Sequence, residues 1–402
     1  MSVRILFLTS QLPYAGIAGG HSLVYERMLR LGARGHEVGL ASFCDETGRA
    51  HVGEIKNRLF ELELLPMPPE PSLPNKFVQA YLGGIPLPFQ HPRSREMRKL
   101  VGTMVDRSHY DVVVAEFSVM GQYLFRNPWL NAVRRVISCH HSPAIMAAHQ
   151  LKLLGGSLLG LKKLIKMYGL IDYECRLYRS ADRVLTLSRE ERYALLNLDP
   201  TLRISVVPNG VDANFFHPPS DAPREQAIIF TGNYLDPANE DAIISFTQDV
   251  WPRLRRSQPG LKFYIVGPSP PVYVRAQAAR DNRLVVTGHV DDIRPWLHKA
   301  QVFVCPVRMG RGMRGKILEA MASGLPVVST SLGVEGLSAQ MGDNCFIADT
   351  PKIMRHYVKI LLEDHALRAR LAENARTMVN ERFRWLKVIP QLEAVLLDVM
   401  RG

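Results

Sequence analysis

The stretch Val302-Phe-Val-Cys305-Pro-Val-Arg308-Met-Gly310-Arg311-Gly312-Met-Arg314-Gly315-Lys316-Ile-Leu-Glu319-Ala-Met-Ala-Ser-Gly324-Leu-Pro326-Val-Val-Ser329 carries the reading of the whole chain. An apolar run ends at Cys305, and a loop rich in glycine and cations follows. A short helix then leads through Gly324 and Pro326 into a second apolar run. Strand, loop, helix, strand is the unit from which parallel sheets are built. Gly310, Gly312 and Gly315 interleave with Arg308, Arg311, Arg314 and Lys316, and no acid occurs before Glu319. Four cations on a loop at a helix N-terminus repel one another unless an anion joins them. A diphosphate suits them. Glu319, about one turn into the helix, suits a ribose diol, because a carboxylate accepts two hydrogen bonds side by side.

The same alternation runs outward in both directions. Strands are expected at Val3–Thr9, Glu37–Ser42, Asp111–Ala115, Arg135–Cys139, Arg183–Leu187 and Arg203–Val207, with helices such as Gly20–Arg34 and Arg95–Arg107 between them. Pro66 to Pro74 and Gly83 to Pro92 read as loops over the sheet edge. After Val207 turn residues run on through Pro223, so 208–225 reads as a linker. Strands resume at Ala227–Thr231, Lys262–Val266, Arg283–Thr287, Val302–Cys305 and Pro326–Ser329, with a last signal at Cys345–Ala348. The fold class is α/β. A first domain covers 1–207, a second 226–380, and 381–402 is a terminal helical segment. Ligands in such sheets bind at strand carboxyl ends. Gly19-Gly20 follows the first strand and opens a helix, where backbone N–H groups can meet an anion. The spacing is not that of the dinucleotide fingerprint, and a plain tight turn would use the same residues.

Composition narrows the classes. The 402 residues are 47% hydrophobic and 22% charged, which excludes a disordered, collagenous or coiled-coil chain. No apolar run approaches the roughly 18 residues of a membrane span. The N-terminal apolar core, Ile5 to Leu8, is too short for a secretion signal and reads as a buried strand. Five scattered cysteines lack metal spacing and fit a reducing cytosol. No Asp-x-Asp occurs, so no metal is expected at the diphosphate and no cofactor is called for. The net charge is +12, and +8 of it lies before residue 211. Such a balance favours anionic partners, but no nucleic-acid module is present.

The segments Val290-Asp-Asp-Ile-Arg-Pro-Trp-Leu297, Gly333-Val-Glu-Gly-Leu337, Val207-Pro-Asn-Gly-Val-Asp212 and Leu187-Ser-Arg-Glu-Glu191 resemble the retaining glycosyltransferases of family 4, the group 1 transferases. The Gly19-Gly20 turn and the Arg308–Lys316 loop do so too, the loop resembling a bacterial exopolysaccharide branch. The resemblance implies a GT-B fold: two Rossmann-like domains facing across a cleft, with the last helix returning to the first domain. It implies a nucleotide-sugar donor and a glycan or lipid-linked acceptor. Its donor site maps onto Gly19, Gly20, Gly232, Asn233, Arg308, Gly310, Arg311, Gly312, Met313 and Glu319, with His140, Arg314 and Lys316 catalytic. Glu116 and His141, at strand carboxyl ends, are acceptor-side expectations.

Two departures stand out. The family usually has a Glu eight positions before the one matched by Glu319; here it is Arg311. It often carries cations after the first strand of the second domain, where Thr231 to Asn239 has none. The phosphate-binding charge is therefore expected at Arg314 and Lys316. A nucleotide-sugar epimerase of the same fold, or a non-catalytic sugar-nucleotide-binding protein, would share much of this pattern. Finally, 161–179 sets Leu161, Leu164, Ile165, Tyr168, Ile171, Cys175 and Tyr178 on one helical face and Lys162, Lys163, Lys166, Arg176 and Arg179 around the other. Such a helix packs on its own core or lies on an anionic membrane, and the second case would make a cytoplasmic protein peripheral to the cell membrane.

Overall fold

The computed structural model describes residues 2–17, 19–153, 158–219, 224–310 and 312–401, the side chains at 81, 149–153, 158–163 and 165 excepted. The chain divides into two compact units, residues 1–207 with 389–402, and residues 208–388.

The first unit holds β1 (Arg4–Thr9), β2 (Glu37–Cys44), β3 (Glu61–Pro66), β4 (Val112–Glu116), β5 (Arg134–Cys139), β6 (Arg183–Thr186) and β7 (Ile204–Val206). They form one parallel sheet in the order β3-β2-β1-β4-β5-β6-β7. Strands buried on both faces need continuous apolar runs, and Ile5 to Leu8 and Val112 to Ala115 supply them. Met97, Val101 and Met104 of the helix Arg95–Ser108 close one face. Strand β3 was not expected. It is a half-buried edge whose Glu61 and Glu63 pair with Arg107, so its apolar signal is interrupted by acids. Part of the Pro66 to Pro74 loop is also corrected. Leu73–Tyr81 is a helix, and Pro74 lies in its first turn, where no N–H is required.

The second unit holds β8 (Ala227–Thr231), β9 (Lys262–Val266), β10 (Leu284–Gly288), β11 (Val302–Cys305), β12 (Val327–Ser329) and β13 (Phe346–Ile347), in the parallel order β10-β9-β8-β11-β12-β13. The expected linker belongs to this unit. Val211 N–H donates to the Phe383 carbonyl at 2.8 Å. The Arg224 guanidinium donates to the carbonyls of Leu297, Ala300, Ser323 and Gly324. Turn-forming composition there reflects an irregular but tied path. The final helix, Trp385–Arg401, passes into the first unit at Ile389 and not at 381. There Glu393 accepts from Arg34 and His36, and Asp398 from Arg183.

The helix expected near 161–179 is Leu158–Arg179. Leu177 and Tyr178 pack into the core with Leu170 and Tyr173 beside them, Arg176 pairs with Asp172, and Arg179 with Asp199. Its second half is thus a core-packed helix. Tyr168, expected on the packed face, is exposed, and the Lys162 and Lys163 side chains lie outside the described residues. Among the described residues no helix is long and apolar enough to cross a membrane.

In each sheet the strand order reverses once, between β1 and β4 and between β8 and β11. Crossover helices leave on opposite faces there and open a crevice at the carboxyl ends. Gly267, just past β9, guards the second of these. It has φ +137°, and a Cβ on it would lie 2.0 Å from the Gly232 carbonyl oxygen. Backbone cannot swing aside as a side chain can. Gly267→Ala is expected to destabilise the second unit by about 2 kcal/mol or more. Urea unfolding reads this directly, and an unchanged midpoint would contradict it.

Candidate functional site

The crevice of the second unit is lined from three directions. Strand β8 ends in Gly232-Asn233, strand β11 runs into the glycine loop, and the loop ends at the helix Gly315–Ala322. Gly310 (φ +76°) and Gly312 (φ +106°) take conformations that side chains disfavour. Lys316, in the first helical turn, turns back towards β8. Its Nζ donates to Asn239 Oδ1 at 2.7 Å and lies 4.5 Å from the Phe230 ring centroid. A Cβ on Gly232 would fall 2.7 Å from that Nζ, so the glycine makes room for the ammonium. Asn239 is buried and also donates to the Asn233 carbonyl at 2.8 Å. Asn233 itself accepts from Leu235 N–H at 3.0 Å.

These placements set the electrostatics. Burial pushes the Lys316 ammonium down to about 8, and the charge of Arg314 acts in the same sense. Burial pushes Glu319 up to about 7, although Lys316 opposes it. Arg314 donates through Nη2 to the Met309 carbonyl at 3.2 Å, while its Nε is buried with no partner among the described residues. Arg308 is different. It makes paired bonds of 2.7 and 2.8 Å to Asp241, so this cation already has its anion. The expectation of four unneutralised cations is corrected for Arg308. Asp241 lies 67 residues upstream, and no local pattern connects them. Arg311 lies outside the described residues. Met313 is buried, and its sulfur accepts from Asn209 N–H at 3.2 Å.

The crevice of the first unit is built round a buried charge. The helix Gly20–Ala33 buries Leu23, Val24, Arg27, Met28 and Leu31, a stripe in which Arg27 is the only charged member. Its guanidinium reaches Glu116 Oε1 at 3.4 Å, Ser138 Oγ at 3.1 Å and the Val207 carbonyl at 3.2 Å. Glu116, at the end of β4, bonds His140 Nε2 at 2.6 Å. All three side chains are buried. Burial resists ionisation of Glu116, yet Arg27 and the His140 hydrogen bond prevail and hold its carboxyl at about 2. The other ring nitrogen of His140 faces the glycine turn, because a Cβ on Gly20 would lie 2.9 Å from Nδ1. Gly19, with φ +76°, forms the turn. Phe117, at φ +71°, stacks near both His140 (4.2 Å) and His21 (4.5 Å). His21 is driven down to about 4, by burial first and His140 second, and its Nε2 is 3.2 Å from Ser10 Oγ.

Glu116 therefore cannot serve as the acceptor contact the sequence suggested. It is fully buried and engaged on both oxygens, and it positions His140. His141 is exposed. Asn239 and His21 were both missed, though His21 directly follows the Gly19-Gly20 pair.

A family model described as Glycosyltransferase Family 4 matches residues 17–215, and one described as Glycosyl transferases group 1 matches 225–364. The chain belongs to these glycosyltransferases. A Mycobacterium tuberculosis glycogen synthase is 28% identical over 243 residues, which cover 57% of this chain and 57% of that relative. The chain thus spans little more than half the length of that relative. Two solved structures share the fold. The sucrose-phosphate synthase of Thermosynechococcus elongatus superposes with a TM-score of 0.76 at 15% identity, covering 99% of each chain. Anabaena Alr3699/HepE, solved with UDP-glucose, does so with a TM-score of 0.69 at 16% identity, covering 98% of this chain and 100% of that one. The architecture is GT-B.

Removing Arg27 leaves an ionised carboxylate buried beside one histidine. Arg27→Met is expected to lose about 3–5 kcal/mol, and Arg27→Met with Glu116→Gln to lose less. Glu116 has a depressed pKa, so its contribution is present above about 4.5 and lost as pH falls towards about 2. In Arg27→Met the acid limb of stability should move to higher pH. Equal losses in the single and double variants, or an unmoved acid limb, would refute the triad.

Proposed function

We propose that this chain is a retaining glycosyltransferase that moves a sugar from a nucleoside-diphosphate sugar to a hydroxyl of a glycan or lipid-linked acceptor. Its setting would be the making of bacterial surface polysaccharide or glycoconjugate, on the cytoplasmic side of the membrane. One observation carries the reading. In the second unit's crevice Arg314 keeps a buried, unpartnered N–H and Lys316 keeps a charge that its surroundings disfavour. Both defects are cured by one ligand, an anion at the end of the glycine loop. Glu319, three residues further along the helix, has the chemistry for a ribose diol.

The reaction that follows is dissociative. The bond from the anomeric carbon to the diphosphate oxygen breaks, and its electron pair stays on the phosphate. Arg314, Lys316 and loop N–H groups stabilise that developing charge, the kind of fixed field that is commonly the largest catalytic term. The acceptor oxygen then bonds the anomeric carbon on the face the phosphate left. Its proton passes to a freed phosphate oxygen, so no protein base is required. For His140 the donor-sugar contact rests on the family resemblance alone. UDP sugars are the first donors to test, since Alr3699/HepE was solved with one.

Release of nucleoside diphosphate only when acceptor is present distinguishes transfer from simple binding. Arg314→Ala or Lys316→Ala should lower turnover about 100-fold or more, and Glu319→Gln should weaken the nucleoside diphosphate alone. Binding of that nucleotide should also be strongest between about pH 7 and about pH 8. Below this window Glu319 is protonated and accepts poorly; above it Lys316 loses its charge. Titration calorimetry across the neutral range reads both limbs. Glu319→Gln should flatten the acid limb and Lys316→Met the alkaline one. Near-normal turnover in both cation variants would overturn the assignment.

A further inference from the structure

The helix Leu73–Tyr81 of the first unit is turned inside out. Leu73 is 73% exposed, Phe77 60% and Val78 52%, and Leu82, the residue after the helix, is 85% exposed. Positions 73 and 77, and 78 and 82, are i,i+4 pairs that together cover about half of the helix circumference. Leu87, on the following turn Leu87–Phe89, is 59% exposed. The groups that face the protein are polar. The Lys76 carbonyl accepts from Gln90 Nε2 at 3.0 Å, the Gln79 carbonyl accepts from Ile85 N–H at 2.9 Å, and Gln79 Oε1 is buried without a partner. A surface helix ordinarily does the reverse.

These side chains are held outward by their anchor. Ile85, Phe89 and Gln90 are buried, and the Phe89 ring lies 5.0 Å from that of Tyr173. Five large apolar side chains are exposed within fifteen residues, a density of exposed apolar surface that marks an interaction surface.

Charge selects the partner. From Glu70 to Lys99 the chain carries Lys76, Arg93, Arg95, Arg98 and Lys99 against Glu96 and Glu70, the latter paired with Lys76 at 3.1 Å. Arg93, Arg95 and Lys99 are exposed, and Arg93 acts electrostatically on the Tyr173 hydroxyl beside the anchor. A second copy of this chain would bring like charges together at the same patch. A surface with an apolar interior and anionic headgroups satisfies both parts at once.

We propose that Leu73–Leu87 inserts into the headgroup region of an anionic bilayer, with Leu73, Phe77, Val78, Leu82 and Leu87 among the acyl chains and Arg93, Arg95 and Lys99 on lipid phosphates. This segment is a membrane contact separate from the one expected of 161–179, and its two ends read as proline-rich loops. The proposal extends the lipid-linked reading of the acceptor, but its test uses neither donor nor acceptor, so the two fail separately.

The full chain is sedimented with phosphatidylcholine vesicles, with and without added phosphatidylglycerol. Binding should be at least about tenfold stronger with phosphatidylglycerol and should weaken with salt. Leu73→Ser with Phe77→Ser and Leu82→Ser should lose about tenfold or more of it. Arg93→Gln with Arg95→Gln and Lys99→Gln should remove the salt-dependent part. All six positions are exposed, so the melting temperature should hold. As a second measurement, Phe77→Trp should shift its fluorescence to the blue on binding. Absence of binding to phosphatidylglycerol vesicles at low salt overturns the proposal. So does binding that the serine variant leaves intact, or a dimer abolished by that variant in a protein that ignores vesicles.

Discussion

Parallel strands whose order reverses once leave a gap that their own helices cannot cover, and the chemistry of this chain collects at the two gaps. In the first sheet the gap lies between β1 and β4, and Gly19, Gly20, His21, Glu116 and Phe117 stand at its mouth. In the second it lies between β8 and β11, where Gly232, the Arg308–Arg314 loop and Lys316 meet. The rest of each unit supplies two-sided burial for the strands, and that burial holds the carboxyl ends still.

The two gaps treat charge oppositely. In the first unit Arg27, Glu116 and His140 compensate one another's charge within the protein, and Ser138 and the Val207 carbonyl take up further donors of Arg27, whose Nε alone finds no acceptor among the described residues. Such a cluster rigidifies and orients, and breaking it strands a charge in low dielectric. In the second unit compensation stops short. Arg308 finds Asp241, but among the described residues Arg314 and Lys316 find only neutral acceptors, a carbonyl and an amide oxygen. A lysine and a carboxyl pushed towards neutrality on one short helix is an arrangement that folding alone would not favour. The difference separates a self-compensated cluster from the crevice proposed to take an anion.

Local pattern made much of this legible. Ala227–Thr231, Lys262–Val266 and Val302–Cys305 form strands with the expected ends, because runs buried on both faces are bounded by turn residues on both sides. Pairings distant in sequence were not legible. Asp241 neutralises Arg308 across 67 residues, and Glu393 joins Arg34 across 359. Proline misled the reading at Leu73–Tyr81, since a proline in a helix's first turn has the same composition as one in a loop. Asn239 went unnoticed because it carries no charge, although it links Asn233 to Lys316. Glu116 was assigned to the acceptor for its place at a strand end. Only its burial and its bond to His140 show that it acts through another residue.

The glycines at the two gaps share a further logic. Glycine at a strand-to-helix turn invites the reading that backbone must approach a phosphate. Here the nearest neighbours are protein side chains in both cases, the Phe117 ring and His140 Nδ1 at Gly20 and Lys316 Nζ at Gly232. Each glycine lacks the carbon that would push a titratable group away from the strand ends. Gly232 is itself pressed from behind by Gly267, which needs its own missing Cβ to let the Gly232 carbonyl in. The position of the Lys316 ammonium thus rests on two successive absences of a methyl group. Neither glycine has to touch a ligand for its replacement to displace that charge.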